Sequence, residues 1–302
     1  MDDPDFTALQ PLQVTIVGLG LMGGSLAMRL KKDRIVRQVV GLVRRAETVA
    51  AAERLGAADF VTTDPQTALA NADVVVFSTP VRVLTAQLQT FAPFFKTGAI
   101  ITDVGSTKRQ IMTALNALPP HVHPVGSHPM CGKETSGLAA ADPQLYNDAT
   151  WVVSVPARTP PHAAETVRQL ARAVGAKPLW LPPARHDRLV ATISHLPYLL
   201  SAGLVLTAQS VAAEDAQVWH VAASGFKDTS RLAASNVQMM LDILLTNRDA
   251  VLEMITRFGD RLDALADAIR AGDEPRLRAM LDAAAQQRTA LYPPPVQPPQ
   301  KE

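Results

Sequence analysis

The sequence predicts an α/β fold in which a doubly wound parallel sheet is followed by an all-helical domain. Up to about residue 181, short apolar runs alternate with stretches of helical spacing, as expected of parallel strands with helices on both faces of the sheet. Beyond about residue 184, no run is typical of a strand, and apolar residues follow a helical period. We therefore place the first domain at residues 1–184, the helical domain at 185–290 and a proline-rich tail at 291–302.

The predicted elements of the first domain follow one another along the chain. Six apolar runs are typical of strands: 14–18, 39–43, 73–79, 99–104, 122–127 and 150–155. Candidate helices between them are 24–33, 46–55, 81–92 and 107–118. Ligands of such sheets bind beyond the carboxyl ends of the strands. We expect three loops, at 78–81, 103–108 and 126–132, to converge there, with Thr79 and Pro80 against a cofactor.

The second domain contains one unusually regular helical pattern. Six apolar residues recur in steps of four and three, as along a coiled-coil seam: Val251, Ile255, Phe258, Leu262, Leu265 and Ile269. Gly272 and residues 273–275 indicate the end of this helix and the start of another. The seam serves either its own domain's core or the same helix of a second subunit, and both readings stay open.

Composition excludes several classes of protein. The 302 residues, 47% of them hydrophobic, suffice for one large or two ordinary cores. A net charge of +1 gives no basic field for nucleic acid. The acidic start lacks an apolar signal core, and no uninterrupted apolar run approaches the roughly 20 residues of a membrane span. The single cysteine, Cys131, can form no intramolecular disulfide, which fits a reducing compartment, so we expect a cytoplasmic protein. From the charge and the apolar runs, we expect it to bind neither nucleic acid nor membrane.

The segment after the first predicted strand indicates a dinucleotide site. Gly18, Gly20 and Gly23 have the G-x-G-x-x-G spacing and open a predicted helix. This spacing permits a tight turn, a close approach to a pyrophosphate and close packing of helix on strand. We expect the loop, with Leu21 and Met22, to bind NADP or NAD in a Rossmann-type domain. The alternative is a tight turn that binds nothing.

The end of the second predicted strand favours NADP over NAD. Domains that bind NAD place an acidic residue about 20 residues past the glycines, on the ribose hydroxyls. Here Arg44 and Arg45 come first, and the nearest acid is Glu47. Two guanidinium groups would bind a 2′-phosphate with charge-assisted hydrogen bonds. In the alternative, the arginines are solvated and Glu47 holds the ribose of NAD.

Five blocks of sequence carry a family resemblance. They are GLGLMGGSLA (18–27), DVGSTKR (103–109), HPMCGKETSG (128–137), SHLPYLLSAGL (194–204) and GFKDTSRLA (225–233). In this order they resemble the prephenate and arogenate dehydrogenases of tyrosine biosynthesis. The resemblance implies oxidative decarboxylation of prephenate or arogenate to 4-hydroxyphenylpyruvate or tyrosine, with hydride transfer to NADP or NAD. It also implies a homodimer formed through the helical domain.

The same resemblance implies roles for individual residues. His128 would accept the proton of the substrate's ring hydroxyl, and Ser106 would be a second hydrogen-bond partner of that hydroxyl beside the cofactor. An imidazole suits this task because its ordinary pKa, near 6.5, leaves it mostly neutral. Arg231 would grip a substrate carboxylate, and His195 would be a further substrate contact. Other residues expected beside the substrate are Lys227, Asp228 and Gly132.

Two of these positions have structural alternatives. Ser106 is also a candidate N-cap of the predicted helix 107–118. Pro197 lacks an N–H, which would leave the carbonyl of Ile193 unpaired and predicts a kink near His195.

The chain also departs from common family forms. Tyr198 stands where many members have a second histidine, and Lys227 where many have an arginine. Asp228 could meet the ammonium of arogenate or brace its own helix. The choice between prephenate and arogenate therefore stays open.

Other functions remain as alternatives. The same fold could oxidise another substrate, as β-hydroxyacid dehydrogenases do, or sense NADP without turnover. A nucleophilic role for Cys131 is disfavoured because the implied chemistry needs no thiol. The candidate ligands of a zinc site would be His121, His123, His128 and Cys131. Such a site is disfavoured because the spacing of these residues is irregular and there is no second Cys/His cluster, so no metal is expected.

Overall fold

Strands and helices alternate along the first part of the chain. The computed structural model describes residues 6–133 and 135–293. The strands are β1 (Gln13–Val17), β2 (Gln38–Leu42), β3 (Phe60–Thr62), β4 (Val74–Phe77), β5 (Ile100–Asp103), β6 (His123–Pro129), β7 (Thr150–Ser154) and β8 (Lys177–Trp180). The helices between them are α1 (Leu21–Lys32), α2 (Ala46–Arg54), α3 (Pro65–Leu69), α4 (Val81–Phe91), α5 (Arg109–Asn116) and α6 (Pro161–Ala173).

The eight strands form one sheet in the order β3-β2-β1-β4-β5-β6-β7-β8. Neighbouring strands are parallel except β6 and β7, which are antiparallel. The chain winds outward from β1 through β2 to β3 and then returns to β4, so β1 and β4 flank the point where the winding reverses. The predicted doubly wound sheet is therefore confirmed. It contains two strands that were not predicted, β3 and β8, and β7 runs antiparallel to β6 rather than parallel. In such sheets ligands bind at this reversal.

Both faces of the sheet are covered by apolar helix surfaces. Alternate residues of one strand point to opposite faces. Val74 and Val76 pack in one buried layer, and Val75 and Phe77 pack in the other. Helices α1 and α6 contribute to the first layer, and α3, α4 and α5 to the second. Strands buried on both faces explain why the sequence shows continuous apolar runs rather than alternation.

In the described residues, only helices and irregular segments follow β8. The helices are α7 (Pro183–Val190), α8 (Leu196–Ala212), α9 (Ser224–Ser230), α10 (Val237–Thr246), α11 (Arg248–Ala271) and α12 (Glu274–Leu291). The predicted break between α11 and α12 is present. Gly272 has a φ of +64° after the end of α11, and Asp273 accepts a hydrogen bond from the backbone N–H of Arg276 at 3.0 Å, which caps α12.

The chain divides into two compact units, one up to Val251 and the other from Leu252 onward. Helices α7 to α10 belong to the first unit, together with the sheet. The predicted boundary near residue 184 follows the change in secondary structure and stays a prediction. The predicted tail, 291–302, lies outside the described residues from residue 294 onward.

A π turn at Ala191–His195 joins α7 to α8 and precedes Pro197, where a kink was predicted.

The whole helical stretch, Pro183–Ala212, reaches the length and apolar composition of a membrane span. It is not an uninterrupted apolar run, because polar residues such as Ser194 and His195 lie within it. One such helix is weak evidence for a membrane span, since apolar helices at protein interfaces share these properties.

Candidate active site

The glycine loop after β1 has the shape that a dinucleotide phosphate requires. Gly18 has a φ of +96°, which favours glycine, and a Cβ on Gly23 would lie 2.0 Å from the carbonyl oxygen of Gly18. Gly20 occupies the N-cap position of α1, and the space where its Cβ would lie is open. The loop thus leaves room beside the N-terminus of α1, where backbone N–H groups and the helix dipole favour an anion.

The predicted cofactor-binding residues lie around this loop. Leu21 and Met22 form the first turn of α1, and the carbonyl of Met22 accepts a hydrogen bond from the Tyr146 hydroxyl at 2.7 Å. Thr79 and Pro80 follow β4, the neighbour of β1. A Cβ on Gly18 would lie 2.8 Å from the Thr79 methyl group, so the two loops are in close contact.

Arg44 and Arg45 follow β2 and are exposed, as is Glu47 in the first turn of α2. Arg45 occupies the N-cap position of α2. Since β2 is the other neighbour of β1 and pairs with it in parallel, both arginines follow β2 at the edge of the sheet that carries the glycine loop.

A buried ion pair organises the loop after β5. Asp103 accepts hydrogen bonds from the backbone N–H groups of Ser127 at 2.9 Å and Gly105 at 2.8 Å. It also pairs with the Lys108 ammonium, and both side chains are fully buried. Burial lowers the pKa of Lys108, while Asp103 and Asp187 oppose that shift. These bonds fix the ends of the short loop that carries Ser106, which is partly exposed.

His128 lies at the end of a strand rather than in a loop. Strand β6 pairs in parallel with β5 up to Val125 and then antiparallel with β7, opposite Val152 at His128. This extension corrects the prediction that residues 126–132 form a loop. Burial, and then the neighbouring His186, Lys108 and His195, hold the pKa of His128 well below its ordinary value. A neutral imidazole results, and it can accept a proton.

Two adjacent residues of α7 complete the surroundings of His128. The Nδ1 atom of His128 lies 2.8 Å from Nε2 of His186, whose own Nδ1 lies 2.8 Å from Oδ1 of Asp187. The Asp187 carboxylate also accepts the backbone N–H groups of Lys108 at 2.6 Å and Arg109 at 2.9 Å. It therefore caps α5 from 79 residues away.

The predicted capping role of Ser106 was wrong, because α5 begins at Arg109 and Lys108 occupies the N-cap position.

His195 belongs to the same buried cluster. It is 1% exposed, and its Nδ1 atom lies 3.2 Å from the side-chain nitrogen of Asn247. That nitrogen donates a hydrogen bond to the backbone carbonyl of Asp187 at 2.7 Å. Burial lowers the pKa of His195 to about 4; Asp187 opposes this shift and His186 adds to it. His195 is therefore neutral, with Nε2 left for another contact.

We call the residues Asp103, Lys108, His128, His186, Asp187, His195 and Asn247 the polar cluster. Other predicted substrate-binding residues lie outside it. Lys227 and Asp228 are exposed on α9, and Arg231 is exposed in the 3-10 turn that follows. Gly132 is exposed shortly after β6. The cluster thus unites His128 and His195, while the roles of these other residues stay predictions.

Five members of the cluster were not among the predicted site residues: Asp103, Lys108, His186, Asp187 and Asn247. One signal was present. His186 and Asp187 are adjacent polar residues near the start of a strongly apolar helical stretch, where buried ionisable groups are rare unless paired.

The thiol of Cys131 is partly buried and is not an activated nucleophile. Burial raises its pKa to about 11, so it stays protonated and unsuited to nucleophilic attack. In the described residues, no three His, Cys, Asp or Glu side chains are arranged to hold a metal ion.

Comparisons with known proteins agree with this geometry. A family model described as "Prephenate dehydrogenase, nucleotide-binding domain" matches residues 26–179, and one described as "Prephenate dehydrogenase, dimerization domain" matches residues 182–283. A prephenate dehydrogenase of Lactococcus lactis is 32% identical over 282 residues, which is 92% of this chain and 77% of that protein.

Two solved structures are similar along most of the chain. The prephenate dehydrogenase of A. aeolicus, in complex with hydroxyphenyl propionate and NAD+, has a TM-score of 0.88 and 28% identity, covering 94% of this chain and all of the other. The arogenate dehydrogenase of Synechocystis has a TM-score of 0.81 and 29% identity, covering 93% of this chain and all of the other.

Proposed function

The chain belongs to the prephenate dehydrogenase family, and we propose that it oxidatively decarboxylates prephenate or arogenate with NADP as the preferred cofactor. One observation carries this proposal. A neutral histidine, His128, ends a strand at the edge of the sheet where the glycine loop and the loops after β4 and β5 also lie. These are the parts that hydride removal from a ring alcohol requires: a cofactor site and a proton acceptor.

His128 is the proton acceptor in this proposal. When bound, the nicotinamide cofactor would supply the acceptor for the hydride that leaves ring carbon 4. His128 takes the hydrogen bond and then the proton of the 4-hydroxyl, and Ser106 is its second partner. The substrate's carboxylate departs as CO2 and the ring becomes aromatic, which provides the driving force. The protein therefore needs to supply orientation and one base.

The remaining predicted contacts concern the acidic substrate. We propose that Arg231 binds a carboxylate through its planar guanidinium, and that His195 contributes a neutral hydrogen bond. Lys227, Asp228 and Gly132 are proposed beside the same substrate. The relatives act on both substrates by name, prephenate in L. lactis and arogenate in Synechocystis. We therefore propose either prephenate or arogenate as the substrate of this chain.

Turnover of the wild-type protein is the first test. We expect reduced nicotinamide to appear, by its near-ultraviolet absorbance, with prephenate or arogenate. His128→Asn should lower kcat by 10²- to 10⁴-fold, the typical contribution of a positioned general base, with a much smaller change in KM. An unchanged kcat would remove His128 from the proposal. No turnover with either substrate and either cofactor would reject the function itself.

The proposed preference for NADP depends on Arg44 and Arg45. A relative is solved with NAD+, so the family fold alone does not select NADP. Replacing both arginines with alanine should raise KM for NADP at least about tenfold and leave KM for NAD nearly unchanged, since one hydrogen bond to a charged group contributes about 1.5–3 kcal/mol.

A matched control is Arg37→Ala, because Arg37 is exposed near the opposite end of β2. It should leave both KM values unchanged. A wild-type enzyme that prefers NAD would contradict the NADP assignment and favour Glu47 as the ribose contact.

We also propose a homodimer in the cytoplasm. The matching of residues 182–283 to a dimerization domain supports the assembly. The single cysteine, which cannot form an intramolecular disulfide, is compatible with a reducing compartment.

A further inference from the structure

Two hydrogen-bonding side chains, His186 and Asp187, lie in a row behind His128. Oδ1 of Asp187 is 2.8 Å from Nδ1 of His186, and Nε2 of His186 is 2.8 Å from Nδ1 of His128. The His186 side chain is fully buried and Asp187 is 1% exposed. Each ring nitrogen in this row therefore has the next group, rather than water, as its partner.

The row determines which nitrogen of each ring carries hydrogen. An ionised carboxylate only accepts hydrogen bonds, and both oxygens of Asp187 already accept backbone N–H groups. His186 must then donate from Nδ1. A neutral imidazole has one N–H, so Nε2 of His186 can only accept. His128 must in turn donate from Nδ1, which leaves the lone pair on its Nε2.

We propose that His186 and Asp187 are positioning residues that hold His128 in the tautomer whose Nε2 atom accepts the substrate proton. The inference rests on the proposed function and adds to it two residues that act through His128. After the reaction step, the transferred proton is on Nε2 of His128, and Nδ1 still donates to His186. The Nε2 lone pair of His186, held in place by the Asp187 carboxylate, then stabilises the imidazolium.

The surroundings keep this row in place. The Asn247 side chain donates a hydrogen bond to the backbone carbonyl of Asp187. The backbone N–H groups at the start of α5 donate to both oxygens of the Asp187 carboxylate. The charged or titratable groups that face His128 are His186 on α7, Lys108 before α5 and His195 in the π turn. Lys108 is paired with Asp103, so its ammonium does not compete for the nitrogen lone pair of His186.

Kinetics of variants at position 186 test the proposal. His186→Leu removes the acceptor for Nδ1–H of His128 and should lower kcat roughly 10²-fold, the lower end of a general base's contribution, with little change in KM. His186→Gln offers a carbonyl oxygen as acceptor and should recover most of that loss. As a control, His162→Leu replaces an exposed histidine of α6 and should leave kcat unchanged. An unchanged kcat in His186→Leu would overturn the proposal.

A second measurement needs no turnover. Nitrogen-15 NMR of the histidine rings reports the tautomer directly, and the His128 signals are identified by their loss in His128→Asn. We expect hydrogen on Nδ1 in the wild type and on Nε2, or on both in exchange, in His186→Leu. Hydrogen on Nε2 of wild-type His128 would overturn the proposal even if the enzyme is active. If no substrate is turned over, the function fails, and the NMR result still decides the tautomer.

Discussion

His195 makes the stability of the fold depend on pH. Its folded-state pKa, about 4, lies below the ordinary value of about 6.5 because the ring is buried. Between these pH values the unfolded chain binds more protons than the folded chain, so stability falls as pH decreases through this window. The loss attributable to His195 should reach about 3 kcal/mol near pH 4.

The variant His195→Asn isolates this effect. An asparagine oxygen can replace Nδ1 as partner of Asn247, and it does not titrate. Melting temperatures measured between pH 7 and pH 4 should fall less steeply in the variant than in the wild type. Parallel curves for the two proteins would show that His195 does not protonate on unfolding.

Individual residues differ in how far the sequence could predict them. Gly18, Gly20 and Gly23 were predictable because their spacing reflects a local steric requirement of one turn. The place of His128 beyond the paired part of β5 and β6 was predictable from the alternation of strands and helices, while its role as the base stays a prediction from the family motif. His186 and Asp187 were not, because their partners lie 58 and 79 residues away and a single sequence contains no distances.

At the scale of elements, α5 is a short helix whose two ends are capped by side chains from other parts of the chain. Its eight residues are too few to be stable alone. Asp187 caps its start. At the other end, the Arg158 guanidinium donates to the carbonyls of Leu115 at 3.2 Å and Leu118 at 3.0 Å, and to Val122 at 3.1 Å. The helix in turn positions the loop that carries Ser106.

Replacing Arg158 should therefore destabilise the first unit without touching the polar cluster. We expect Arg158→Met to cost about 1–2 kcal/mol, since several carbonyls lose a donor at a partly exposed site. Arg158→Lys should recover little, because one ammonium cannot reproduce the planar fork. Thermal unfolding measures both.

A control for this experiment is Arg257→Met, which breaks an exposed pair with Glu253. Such pairs contribute little, so its melting temperature should stay close to that of the wild type. Equal stability of Arg158→Met and the wild type would contradict the capping role.

The two strands that the sequence did not predict share one property: they are short or lie at an edge. Strand β3 has three residues, and β8 is an edge strand with an exposed Leu179 and Trp180. Neither produces a continuous apolar run. The start of α5 shifted from 107 to 109 because its cap comes from a distant helix rather than from Ser106.

At the scale of the whole molecule, the predicted seam of α11 leaves apolar side chains exposed. Ile255, Leu262 and Ile269 recur every seven residues and are 43%, 50% and 65% exposed. Exposed apolar residues at this spacing are typical of a helix that meets a second helix. They favour the subunit-contact reading of the seam, in agreement with the proposed homodimer.

Lysine at these three positions should shift the protein from dimer to monomer. Size-exclusion chromatography with light scattering would measure the mass. As a control, Asp263→Lys adds positive charge at an exposed polar position of the same helix and should leave the mass unchanged. A wild-type monomer, or a triple variant that stays dimeric, would contradict this use of the seam.

The exchange of partners along β6 has a consequence for redesign. Because β7 pairs with residues 126–129 and its first residue, Thr150, accepts the backbone N–H of Met130, the proposed base is anchored by sheet hydrogen bonds, and the chain leaves β7 only from Cys131 onward. Insertions or exchanges in residues 131–137 should therefore leave the imidazole where it is. A library of grafted segments at this point could alter which ring acids are admitted while preserving the reactive centre.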